Sequence, residues 1–142
     1  MGEAMSWPVF RRLSTMSMTT RITSVTVEVA DQDRALAFYR DILGCEVRAD
    51  VEVWPGARWL EVAPPGSQVG IALLTRASGL PLGVRYGTAD ADDAHERLVG
   101  AGVQPHQDVL RTDYAPPMFT LADPDGNTVV LIEDQEPSPH AG

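Results

Sequence analysis

Arg85 is the charge best placed for ligand chemistry. It lies in GVRYGT (83–88), and its parity matches Ser24, Thr26 and Glu28 of the alternating stretch ITSVTVEV (22–29). A guanidinium on that side either grips a carboxylate, phosphate or enolate through two parallel N–H bonds or forms a salt bridge with Glu28. Trp59 and Trp54, with Met118, Tyr114 and Phe119, supply aromatic and soft surface for a flat or apolar ligand, and Arg58 adds a further cation. Phe119 has the core-facing parity and is counted as core. Trp59 serves equally well in a subunit interface. The carboxylates of Glu28, Glu61 and Asp50 can act as general bases if they are desolvated.

Nucleophilic and metal chemistry find less support. Cys45 follows a helix-ending glycine with no histidine near it in sequence, the setting of a small buried thiol, and Ser24 has no visible base. His95 borders an apolar helix stripe, His106 follows Pro105 in a loop, and His140 is in the tail. None is paired with a carboxylate at ligand spacing, so all three read as structural or solvated.

The elements that must position these residues are legible from periodicity. Residues 22–29 alternate as a strand. Asp31 is an N-cap, and Ala35, Phe38, Tyr39, Ile42 and Leu43 recur at helical spacing until Gly44 stops a three-turn helix. Three strands follow, CEVRADVEV (45–53), ARWLEVA (57–63) and QVGIALL (68–74), separated by Pro-Gly turns, giving βαβββ. The second half repeats the order: a strand at 82–88, a helix capped by Asp90 and ended by Gly100 and Gly102, a segment near 103–111, MFTLA (118–122) and NTVVLIE (127–133). The repeat is countable, because 90 − 31, 122 − 63 and 124 − 65 all equal 59, matching Asp to Asp, Ala to Ala and Pro to Pro. Two such units bury their open sheet faces by curving around a common cavity. Val25, Val27, Val29, Leu60, Val62, Ile71, Leu73 and Val84 take the helix side. Ser24, Thr26, Glu28, Trp59, Glu61, Arg85, Met118 and Thr120 take the cavity side.

Size and charge set the outer bounds. The 142 residues suit one domain, expected over 21–134 with units 21–75 and 81–134, a flexible leader at 1–20 and a disordered tail at 135–142. Eleven basic against 20 acidic residues, net −9, argue against a nucleic-acid partner, which needs a basic face to displace counterions. A single cysteine allows no intrachain disulfide, so the expected compartment is the cytoplasm. Residues 1–20 lack the apolar core of a signal peptide, and no membrane span or membrane partner is expected. The basic segment through Trp7, Val9, Phe10, Arg11 and Arg12 has too few apolar residues on one face to be a surface helix.

ITSVTVEVADQDRALAFYRDILGCEVR (22–48) together with LADPDGNTVVLIE (121–133) resembles the vicinal oxygen chelate superfamily, which includes glyoxalase I, bleomycin-resistance proteins, fosfomycin-resistance enzymes and extradiol dioxygenases. The resemblance implies an α+β fold of two tandem βαβββ units forming curved mixed sheets around a cavity. It also implies a metal held by the first and last strand of each unit. The matching positions here are Ser24, Ala72, Gly83 and Val130, which offer no suitable ligand, so no metal and no cofactor are expected. By that resemblance the chain is expected to be a metal-free homodimer sequestering an apolar or aromatic metabolite or antibiotic, as in antibiotic resistance. Ser24, Thr26, Glu28, Trp59, Arg85, Tyr114 and Met118 would contact the ligand. A lyase, isomerase or dioxygenase-like enzyme is the alternative.

Overall fold

The computed structural model describes residues 17–134. Most of the expected leader, the whole tail and His140 lie outside the described residues. The class is mixed α+β, with seven strands and two α-helices among the described residues. The described residues divide within one strand into two compact units, Arg21–Tyr86 and residues 87–134 together with 17–20.

In the Arg21–Tyr86 unit, β1 (Ile22–Glu28) leads into α1 (Gln32–Ala37), and β2 (Glu46–Trp54), β3 (Ala57–Ala63), β4 (Gly70–Leu74) and the start of β5 (Val84–Thr88) follow. The strand order is β2-β3-β4-β1-β5, with β1 parallel to β4 and the other pairs antiparallel. Asp31 caps α1 by accepting the N–H of Arg34 at 3.1 Å. The core forms on one side of this sheet. Leu36, Cys45, Leu60, Val62 and Leu73 are buried together, with Val27, Val29, Ala35, Tyr39 and Ile71 packed around them. The aliphatic parity read from sequence supplies most of this cluster, and Cys45 is the small buried thiol that its position suggests.

The regular three-turn helix is corrected. After Ala37 the chain widens into a π-helical turn, Phe38–Ile42, closed by the N–H of Leu43 on the carbonyl of Phe38 at 3.2 Å. The wider turn breaks the i, i+4 register, so Phe38, Ile42 and Leu43 are 49%, 71% and 57% exposed, while Leu36, absent from the expected stripe, is buried. Gly44, at φ +79°, then ends the segment in a conformation that suits glycine.

In the other unit, α2 (Ala91–Gly100) is capped by Asp90 on the N–H of Asp93 at 3.0 Å, and β6 (Met118–Ala122) pairs antiparallel with β7 (Thr128–Glu133). Between β6 and β7, Asp123 accepts the N–H groups of Asp125 and Asn127, which folds the Pro-Asp-Gly turn back on itself. The strand expected near 103–111 is reduced to one bridge, Leu110 with Met118. Pro105 lacks an N–H, and the Gln107 side chain takes the backbone N–H of Thr120 that a ladder partner would otherwise receive. Residues before β1 reach this unit: the N–H of Thr20 donates to Gly87 at 2.8 Å, and Thr88 Oγ1 donates to Met18.

Candidate functional site

The face of the Arg21–Tyr86 sheet opposite the core carries the polar residues. Register brings Ser24 beside Gly70 on one side and Arg85 on the other, Thr26 beside Ala72, and Glu61 beside Ala72. Arg85, on the last strand of this order, gathers these residues and is only 4% exposed. Its guanidinium carbon lies 4.3 Å from the centroid of the Trp59 ring. Nη1 donates to Thr26 Oγ1 at 2.9 Å and to the carbonyl of Gly83 at 3.3 Å, and Nη2 donates to the carbonyl of Pro81 at 2.7 Å. Thr26 is held in turn, because its hydroxyl donates to Gly83 at 2.9 Å.

This arrangement leaves donors over. A guanidinium carries five N–H groups in a fixed fork, and Arg85 Nε–H donates to no atom among the described residues. The hydroxyl of Ser24, in a residue 2% exposed, likewise makes no hydrogen bond among them. Burial pushes the guanidinium down to about 10, only partly opposed by the negative charge of Glu61. A desolvated cation of this kind attracts an anion far more strongly than one in water.

Three expectations change here. Arg85 forms no pair with Glu28; Arg76 takes that carboxylate, at 2.8 and 3.1 Å. The short β4–β5 connection places Arg76 within reach at the end of β1. Arg58 is no free cation beside Trp59, for it binds Asp50 at 2.8 and 2.9 Å and Asp33 at 2.8 Å. Asp50 is thereby held below the usual carboxylate range by the hydrogen bond from Arg58, which removes it as a neutral-pH base. The structure thus gathers Ser24, Thr26, Trp59 and Arg85 on one face and ties Glu28 at its end to a surface arginine.

Sequence reading missed Gly70. A Cβ at this position would collide with the carboxyl end of Glu61, so the glycine is what lets that side chain lie across the start of β4. An isolated glycine inside a strand pattern is the signal for such a close approach.

Tyr114 and Met118 belong to the unit from Gly87 onward. Tyr114 is 49% exposed in the loop before β6, and Met118 exchanges backbone hydrogen bonds with Leu110. There the histidines are structural. His95 Nε2 lies 2.9 Å from the carbonyl of Gln107 and packs edge-on against buried Phe119, ring centroids 4.9 Å apart. His106 Nδ1 lies 2.8 Å from Thr120 Oγ1, whose hydroxyl donates to Gln107 Oε1 at 3.1 Å. With the Thr120 proton committed, Nδ1 of His106 must be the donor.

The family model for the Glyoxalase/Bleomycin resistance protein/Dioxygenase superfamily matches residues 21–131. The chain belongs to this superfamily. It is 26% identical over 121 residues to the uncharacterized protein YetH of Bacillus subtilis (strain 168), across 82% of this chain and 100% of that one. Among solved structures it is similar to methylmalonyl-CoA epimerase from Mycobacterium tuberculosis, with 25% identity, TM-score 0.70, and 87% and 93% of the two chains covered. A methylmalonyl-CoA epimerase from Streptomyces coelicolor, at 23% identity and TM-score 0.65 over 82% of this chain and 98% of its own, shares the fold.

The positions that the resemblance matches to metal ligands are occupied as follows. Ala72 and Val130 are fully buried aliphatics, Gly83 has no side chain and its carbonyl accepts from Arg85, and Ser24 offers one hydroxyl. Among the described residues, no group of three or more His, Cys, Asp or Glu is placed to hold a metal.

Proposed function

We propose that the chain is a metal-free small-molecule-binding protein whose ligand rests on the polar face of the Arg21–Tyr86 unit, against Trp59 and Arg85. The observation that carries this reading is the buried guanidinium stacked on Trp59 with its Nε–H uncommitted. A buried charge costs several kcal/mol unless it is well paired, so a chain that keeps one beside an aromatic ring gains something other than stability. A planar, apolar or aromatic molecule bearing an anionic group suits that surface: its rings meet Trp59, and its anion takes the guanidinium. Ser24 and Thr26 line the same face. The test is calorimetric titration of an aromatic-acid panel against wild type and Trp59→Ala. Binding by the wild type that weakens roughly tenfold or more in the variant supports the reading, whereas equal affinities for the two proteins refute it.

A second reading, a lyase or isomerase, has one observation in its favour. The Glu61 carboxylate lies on the same face and makes no hydrogen bond or ion pair with any described residue, which leaves its oxygens open to take a proton. Turnover that is lost in Glu61→Gln while binding persists would establish it.

A further inference from the structure

We propose that this site selects dipolar ligands, molecules carrying an anionic group and an amine or other hydrogen-bond donor on one apolar frame, and that Glu61, poised by Gly70, is the residue that imposes the choice. The inference rests on the binding reading above and adds the ligand class.

Three observations carry it. First, the face holds one buried cation and one carboxylate that sense each other electrostatically yet form no direct ion pair. Other arginine–carboxylate pairs of this unit have closed: Arg76 with Glu28 at the end of the same face, and Arg58 with Asp50 and Asp33 on the helix side. Second, Gly70 leaves room for Glu61 on this face. Its carboxyl end lies over Gly70, in space that any larger residue would fill, and it finds no hydrogen-bond donor among the described residues. Third, the hydroxyl of Ser24, a residue 2% exposed and in register with both Gly70 and Arg85, also makes no hydrogen bond among the described residues. Donor and acceptor capacity is therefore unspent on both sides of the same patch.

A ligand bearing only a carboxylate would take the Arg85 edge but set its charge against Glu61, and a ligand bearing only an amine would meet the reverse conflict with Arg85. Only a molecule with both groups satisfies both. The apolar frame between them meets Trp59. Aromatic amino acids and aminoaryl carboxylates have this chemistry.

The test uses the full chain and three matched probes, phenylalanine, phenylpropionate and phenethylamine, which differ only in the amine or the carboxylate. Titration calorimetry near neutral pH should show phenylalanine binding roughly tenfold tighter than either partner compound. In Glu61→Gln, phenylalanine should lose that advantage over phenylpropionate, whose own affinity rises as the repulsion is removed. Gly70→Ala keeps every charge and displaces the Glu61 side chain from Cγ outward, and should erase the same preference while circular dichroism stays unchanged. Phenylpropionate binding the wild type as tightly as phenylalanine overturns the proposal, as does a preference that survives both variants. Failure of all three probes overturns it too, and the parent reading then falls only if the wider aromatic-acid panel also shows no dependence on Trp59.

Discussion

A buried guanidinium is an expensive residue, and its cost can be read as a function of pH. Arg85 is held down at about 10 chiefly by desolvation. A base whose folded value lies below its unfolded one is disfavoured by folding in its charged form. The cost is therefore present below about pH 10 and lifts as the pH climbs from there toward the ordinary arginine range. Its size is roughly 2–4 kcal/mol at neutral pH. Two outcomes follow at this scale. Affinity for an aromatic carboxylate should hold steady from neutral pH upward and fall once the pH passes about 10, a decline that calorimetry across that range will register. Arg85→Met should abolish that binding without lowering the melting temperature, because relief of the buried charge offsets the hydrogen bonds lost to Thr26, Gly83 and Pro81. A large drop in melting temperature would show that the guanidinium is structural.

At the scale of elements, α1 and its π turn set the boundary between what periodicity conveys and what hydrogen bonding decides. The apolar spacing of Ala35, Phe38, Tyr39, Ile42 and Leu43 describes one face of a regular helix. An N–H of Leu43 that reaches Phe38 instead of Tyr39 rotates the last of them away from the core. Leu36→Ala should therefore destabilise the fold by roughly 2–4 kcal/mol, and Ile42→Ala, at a site 71% exposed, by less than about 0.5 kcal/mol. Urea unfolding of the two variants checks both values, and a reversed order would restore the regular helix. The segment near 103–111 fails as a strand for an equally local reason, since Gln107 offers β6 a side-chain acceptor where a strand would offer its backbone. In the Arg21–Tyr86 unit the outermost strand, β2, leaves Val47 and Val51 42% and 48% exposed. Sedimentation that returns a dimer for wild type and a monomer for Val51→Lys would support the expected homodimer and put this strand at its interface.

At the scale of the whole molecule, charge and metal chemistry give the remaining test. On the proposed metal-free reading, protein purified without chelator should contain well under one divalent ion per chain, because the positions that the resemblance matches to metal ligands are Ser24, Ala72, Gly83 and Val130. Stoichiometric metal by elemental analysis would refute the metal-free reading. The sequence by itself determined the order of elements apart from the segment near 103–111, the caps at Asp31 and Asp90, the two faces of the first strands and the core-facing role of Leu60, Val62, Leu73 and Phe119. Each of these depends on spacing along the chain, which alternation and helical period express directly. Only the tertiary structure decided which charges meet: Glu28 with Arg76, Arg58 with Asp50 and Asp33, and Arg85 with Trp59 and Thr26. Long, flexible side chains choose partners across tens of residues by distance and desolvation, and neither quantity is written in local pattern. Gly70 beneath Glu61 is the same lesson in reverse: the glycine was visible in the strand, but what it makes room for became visible only when β3 and β4 were laid side by side.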